Sequence, residues 1–152
     1  GSENKVRHLK DESDFLIASE RGTRPPVSFY KPLGIHNEHP GYADVMTGEK
    51  HVADIIGRIE RSPLWPDTAI IVTYDENGGF WDHSAPPRGD RWGPGTRIPA
   101  IIISPFAKRG HVDHTLYNTT SILAFIETRF GLKPLGERDA QANGLTGAFD
   151  FK

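Results

Sequence analysis

The chain has 152 residues, a formal net charge of -2 and no cysteine. Its length predicts one domain, and the lack of cysteine excludes disulfide bridges, thiolate catalysis and zinc–thiolate sites. The small net charge provides no overall field that would attract nucleic acid, and the longest aliphatic runs, Ala69–Val72 and Ala100–Ile103, are far shorter than the roughly 18 residues of a membrane span.

The first half of the chain predicts helices joined by irregular segments. Residues 5–20 carry a helical signal, and a short strand is expected at Val27–Tyr30, after two prolines. Residues 31–46 show no period, so we expect an ordered loop of the kind that often carries function. Thr47 can cap the helix that follows. The apolar residues of that helix are spaced i, i+3, i+4, i+7 and are Val52, Ile55, Ile56 and Ile59.

Two apolar runs in the second half predict strands. Thr68–Tyr74 and Ile98–Ser104 are continuous and rich in β-branched residues, which is typical of strands covered on both faces. The Gly- and Pro-rich loop between them is too long to be a mere connector. A last helix is expected to start near Asn118–Thr120 and to end at a left-handed stop at Gly131. Together these elements predict an α/β fold with a mainly parallel sheet flanked by helices.

Two adjacent acidic residues follow the first predicted strand. Asp75 and Glu76 lie at its carboxyl end, where open α/β sheets bind ligands. The glycines Gly78 and Gly79 permit the bend that would let both side chains serve one site. Carboxylate oxygens suit a hard divalent cation such as Mg²⁺, Ca²⁺ or Mn²⁺. The pair is therefore a candidate metal site, and the alternative is that it only ends a loop in solvent.

Two loop histidines are candidates for acid–base chemistry. His39 lies in the run Asn37–Pro40, and His83 closes the run Phe80–His83. A neutral imidazole can bind a metal, and an imidazolium can donate a proton to a leaving oxygen. Taken singly, a loop histidine is more often a surface residue or a hydrogen-bonded strut, so the spacing leaves both interpretations open.

Three separated motifs resemble those of one known family. NEHPGY (Asn37–Tyr42), YDENGGFWDH (Tyr74–His83) and the stretch Gly95–Leu132 are similar, in this order, to segments of the bacterial phosphoesterase family of phospholipase C and acid phosphatase enzymes. The resemblance covers Val27–Phe151. It implies an alkaline-phosphatase-like fold and hydrolysis of phosphoric esters through a Ser or Thr nucleophile and a covalent phospho-enzyme.

The resemblance also implies roles for individual residues. Asp75 and Glu76 correspond to metal ligands, and His39 corresponds to a histidine near the leaving group, a candidate general acid. His83 belongs to the motif and is suited to orienting the carboxylates. The implied cofactor is a divalent metal ion, and the implied substrate is a phospholipid or a phosphomonoester. The implied location is secreted or periplasmic, although this chain shows no signal sequence.

The sequence departs from the family near its start. Members begin with a metal-binding motif like Glu-Asn-Arg-Ser-Phe-Asp-His and carry the nucleophile in a middle segment, whereas here Glu3-Asn4 is followed by Lys5-Val6 and the nucleophile segment is missing. We therefore expect residues 3–152 to be the C-terminal part of a single, longer phosphoesterase domain, with Gly1-Ser2 a cloning remnant. The 152-residue chain alone is expected to be inactive.

Two other functions stay open at this point. One is a different metal-dependent hydrolase of the alkaline phosphatase superfamily, and the other is a non-catalytic interaction domain. The two apolar strands would lose neighbours if part of the domain were absent. We therefore expect the chain to self-associate, or to have been cut from a longer chain after folding.

Overall fold

Short helices and one small sheet make up the secondary structure of this computed structural model, which describes residues 2–151. The chain forms two units, Gly1–Thr68 and Ala69–Lys152. Gly1, half of the expected cloning remnant, lies outside the described residues. Among the helices of the described part, none is both long enough and apolar enough to cross a bilayer.

The first unit is helical. Helix α1 spans Ser2–His8, α2 spans Glu12–Glu20 and α3 spans Val45–Glu60. Short 3-10 helices lie at Gly34–His36 and Trp65–Asp67. The helical signal of residues 5–20 is therefore confirmed, but it divides into two helices.

Helix α3 confirms the apolar spacing and corrects the cap. Ile55 and Ile59, four positions apart, are both buried. The cap is Asp44 and not Thr47, because the Asp44 carboxylate accepts the Thr47 N–H at 2.8 Å. This hydrogen bond from Thr47 lowers the pKa of Asp44. A charged acceptor at the positive end of a helix outcompetes a hydroxyl, and this explains the earlier start.

The strand expected at Val27–Tyr30 is wrong, since this segment is irregular. The Tyr30 hydroxyl donates to Glu12 Oε2 at 2.7 Å and lies 2.7 Å from His51 Nε2, so side chains of α2 and α3 hold the segment. Burial and the Glu12 carboxylate raise the pKa of Tyr30. The residue types of this segment favour an extended backbone, but a strand also needs a neighbouring strand to pair with, and the residue types do not report one.

The second unit contains both described strands. Strand β1 spans Ile70–Thr73 and β2 spans Ala100–Ile103. They pair antiparallel, with Ile70 opposite Ile103. The mixture of helix and sheet is as expected, whereas the mainly parallel sheet is not formed by the described residues. Apolar runs report burial and not strand direction, and here the long loop brings β2 back alongside β1.

Cover on both faces of the strands is also not observed. All of β1 is half-buried, and the first half of β2 is exposed. Ile101, in that first half, is 58% exposed. The unit's described core lies instead around aromatic residues, where the Phe149 ring stacks on Phe125 and on Phe151 with centroids 5.1 Å apart in each pair.

Two helices complete the second unit. Helix α4 spans Thr120–Phe130 and α5 spans Glu137–Gln141, followed by a 3-10 helix at Leu145–Ala148. Gly131 ends α4 with φ +64°, so the expected left-handed stop is confirmed. The next N–H, that of residue 132, donates back to the Glu127 carbonyl at 2.9 Å, which closes the last turn.

A buried pair of carboxyl groups joins α4 to α5. Glu127 and Asp139 are 9% and 5% exposed. Desolvation and a hydrogen bond with Asp139 raise the pKa of Glu127. Desolvation acts on Asp139 too, but the Leu135 N–H at 2.6 Å and the bond from Glu127 outweigh it and lower the pKa of Asp139. Of the two carboxyl groups, Glu127 is therefore the one that takes up a proton more readily.

We predict that Glu127→Gln stabilises the chain at pH 7 and not at about pH 4. Glutamine keeps a donor for Asp139 without the need to bind a proton. The pKa of Glu127 is raised in the folded state. Protonated Glu127 therefore contributes its full stabilisation of the fold below its unfolded pKa. That contribution is lost as the pH rises through the folded-state pKa. Urea unfolding at both pH values measures this difference.

The matched control is Glu137→Gln, an exposed residue in the first turn of α5. Because it removes a negative charge from the start of a helix, it should lower the urea midpoint slightly at pH 7 and not raise it. A lower midpoint for Glu127→Gln at pH 7 would contradict the raised pKa of Glu127.

Candidate active site

His39 lies in an ordered turn between the Gly34–His36 3-10 helix and α3. Its backbone N–H donates to Asn37 Oδ1 at 3.0 Å. Its carbonyl accepts the Ala43 N–H at 3.1 Å. The ordered loop expected in this part of the chain is therefore confirmed.

The His39 ring is exposed and makes two contacts within its own turn. Its Nδ1 lies 2.8 Å from the Pro40 carbonyl oxygen. Its face stacks on Tyr42, with centroids 4.8 Å apart and planes 11° apart. The amide of Asn37 donates to the Tyr42 hydroxyl at 3.2 Å. An exposed imidazole with one restrained nitrogen can exchange a proton with a ligand through the other.

Glu38, which the sequence analysis did not single out, packs this turn against α3. Its backbone is left-handed, with φ +63°, and the residue is 9% exposed. A Cβ on Gly48 of α3 would come within 2.2 Å of Glu38 Cγ and 2.8 Å of its Oε1. Only glycine leaves room for this side chain. In the sequence, the only sign of this close approach is a glycine inside the helical pattern of α3.

Asp75 and Glu76 follow β1 in a bend, and both are exposed. Glu76 Oε2 accepts the Gly78 N–H at 2.7 Å. Gly78 and Gly79 are left-handed, with φ +61° and +83°. The bend that the glycines predict after the strand is confirmed, and it leaves carboxylate oxygens at the surface.

His83 lies beside Asp82, which organises the second part of the loop. Both Asp82 oxygens accept from Arg97, at 2.8 and 3.0 Å, and one also accepts the Ser84 N–H at 2.9 Å. These bonds, that of Arg97 first, lower the pKa of Asp82. His83 Nδ1 is 3.7 Å from Asp82 Oδ1. Because Arg97 lies just before β2, the ion pair ties the loop to the sheet.

The candidate metal ligands have the oxygen atoms that a hard cation prefers, but they are too few to fill its coordination sphere. Asp75 and Glu76 supply carboxylate oxygens, whereas such cations take about six ligands. Within residues 2–151, no group of three or more His, Asp or Glu side chains could hold a metal ion. His39 belongs to the first unit, and Asp75, Glu76 and His83 belong to the second.

Comparison with known proteins identifies relatives of this chain. The family profile described as "Phosphoesterase family" matches residues 2–133. The non-hemolytic phospholipase C of Pseudomonas aeruginosa is 30% identical, over 84% of this chain and 23% of the relative. Phospholipase C B of Mycobacterium tuberculosis is 32% identical, over 91% of this chain and 32% of the relative.

The similarity extends beyond bacteria. Non-specific phospholipase C6 of Arabidopsis thaliana is 33% identical, over 90% of this chain and 31% of the relative. The chain therefore spans between 23% and 32% of the length of these three curated relatives.

The contact between Glu38 and Gly48 predicts opposite effects of alanine at the two glycines of α3. Gly57→Ala should stabilise by about 0.5–1 kcal/mol, because its Cβ would meet only the end of the Arg61 side chain, at 3.3 Å. Gly48→Ala should instead destabilise by about 1–3 kcal/mol. Urea unfolding of both variants measures the difference.

Glu38→Gly in the Gly48→Ala background removes the clashing side chain and should restore stability. If Gly48→Ala stabilised the chain as much as Gly57→Ala does, Glu38 would not lie on the helix as described.

Proposed function

Because this chain belongs to the phosphoesterase family, we propose that the whole protein hydrolyses phosphoric esters in a metal-dependent reaction. The observation that carries the proposal is the family match over residues 2–133, which includes His39, Asp75, Glu76 and His83. The relatives are named phospholipases C, which favours a phospholipid over a phosphomonoester as substrate.

Asp75 and Glu76 are the proposed metal ligands of this chain. Both are exposed at the carboxyl end of β1, and their oxygens are of the type that hard cations prefer. We place the remaining ligands and the Ser or Thr nucleophile in the length of the relatives that this chain does not span. When bound, a divalent cation lowers the pKa of a nucleophile and polarises the phosphoryl group.

His39 is the proposed general acid. Its Nδ1 is engaged by the Pro40 carbonyl, so the proton for the leaving alcohol oxygen comes from Nε2. A positioned acid contributes about 10²–10⁴-fold to the rate. We propose that His83 orients the loop that carries the two carboxylates, beside the Asp82–Arg97 ion pair. The secreted or periplasmic location and the self-association of the chain stay predictions, as does its inactivity in isolation.

In the full-length enzyme, Asp75→Asn and Glu76→Gln should each weaken divalent-metal binding and remove most turnover. The neutral amide keeps the size of the side chain but loses the charge that attracts the cation. Metal content after dialysis and turnover of a phospholipid are the two measurements. Glu137→Gln, which removes an exposed charge on α5, is the control. Full metal content and normal turnover in both site variants would rule out the assignment.

His39→Ala should slow hydrolysis of alkyl phosphoric esters by about 10²–10⁴-fold. Nitrophenyl esters, whose leaving group scarcely needs a proton, should lose much less. The rates with the two ester types give the comparison, and His114→Ala, at another exposed loop histidine, serves as control. Equal losses with both esters would mean that His39 is not the general acid.

A further inference from the structure

The hydrogen bond of the His39 ring determines which nitrogen carries the proton. Nδ1 lies 2.8 Å from the Pro40 carbonyl oxygen. A carbonyl oxygen can only accept, so Nδ1 must donate. In the neutral ring, Nε2 therefore has the free lone pair, and in the charged ring it has the second N–H.

A bond to a neighbouring carbonyl selects one tautomer only while the ring keeps its orientation. Tyr42 supplies this restraint by stacking on the imidazole, with 4.8 Å between centroids. Asn37 restrains both partners at once. Its Oδ1 accepts the His39 backbone N–H at 3.0 Å, and its Nδ2 donates to the Tyr42 hydroxyl at 3.2 Å.

The backbone of the same turn is held separately. Glu38 lies between Asn37 and His39 in the left-handed conformation, and its side chain is buried against Gly48. Non-glycine residues persist in this conformation where their surroundings over-determine it, and such residues cluster at functional sites. The turn is thus restrained by its backbone, and the ring by Tyr42 and Asn37.

We propose that Asn37 and Tyr42 are positioning residues that hold His39 as the Nδ1–H tautomer with Nε2 turned to the substrate. The proposal rests on the proposed role of His39 as general acid. As the P–O bond breaks, its electron pair goes to the leaving oxygen, and the proton moves from Nε2 to that oxygen. His39 is left neutral with its proton on Nδ1, still bonded to Pro40. The ring therefore needs no rotation between turnovers.

The direct test is the nitrogen NMR spectrum of the neutral His39 ring in the ¹⁵N-labelled chain. Comparison with His39→Gln assigns its signals among the seven histidines. The expected spectrum has a protonated Nδ1 and an unprotonated Nε2. Tyr42→Leu should produce a mixture of both tautomers, whereas Tyr42→Phe keeps the stacking ring and should retain Nδ1–H as the main form.

Asn37 provides a second, independent pair of variants. Asn37→Asp keeps an acceptor for the His39 N–H and a partner for the Tyr42 hydroxyl, so it should retain the tautomer. Asn37→Ala removes both contacts and should lose it. An Nε2–H form in the original chain, or an unchanged spectrum in both Tyr42→Leu and Asn37→Ala, would overturn the proposal.

Kinetics of the full-length enzyme separate this inference from the proposed function. Tyr42→Leu should lower kcat for alkyl esters by up to about 10²-fold and change nitrophenyl ester hydrolysis much less, with Tyr42→Phe close to the original enzyme. Equal losses for both ester types in Tyr42→Leu would overturn the positioning role. If His39→Ala lost the same rate with both ester types while the NMR spectrum was as expected, His39 would not be the general acid. The tautomer assignment would still hold.

Discussion

The turn that carries His39 depends on one close contact, that of the buried Glu38 side chain with Gly48 on α3. A left-handed non-glycine residue costs of order 1–3 kcal/mol. Here the packing of its side chain against the helix maintains that conformation. The position of His39 follows, because the left-handed backbone immediately before it sets the direction of the chain through Pro40 to Tyr42. The glycine at the end of the first turn of α3 is thus a structural requirement of the loop that precedes the helix.

The second unit uses a different device at the end of β1. Two left-handed glycines turn the chain after Glu76, and the Asp82–Arg97 ion pair fastens the far part of the loop next to β2. The carboxylates of Asp75 and Glu76 thereby stay at the surface, where oxygen ligands are accessible. The two candidate ligands therefore lie on a bend between β1 and the Asp82–Arg97 ion pair and remain exposed.

Several periodic and local signals in the sequence were confirmed. The apolar spacing of α3 and the left-handed Gly131 after α4 depend on neighbouring residues, and both are present as predicted. Both apolar runs form strands, although shorter than expected. The glycine pair after Glu76 also bends as predicted, since a left-handed backbone is a property of single residues.

Features that depend on distant parts of the chain were missed. The antiparallel direction of β2 and the absence of a strand at Val27–Tyr30 depend on which segments pair, and composition does not report pairing. The contact of Glu38 with Gly48 was missed because a single side-chain contact between a turn and a helix leaves no periodic pattern in the sequence. A resemblance to the family supplied the roles proposed for Asp75, Glu76, His39 and His83. The family match supports the membership of the chain and does not test the role of any single residue.

Anomalous diffraction from Mn²⁺-soaked crystals of the full-length protein tests the central claim, that Asp75 and Glu76 hold the metal of a phosphoesterase. We expect a metal peak within direct coordination distance, roughly 2.0–2.6 Å, of carboxylate oxygens from both residues. A fully occupied metal site that neither carboxylate contacts would contradict it.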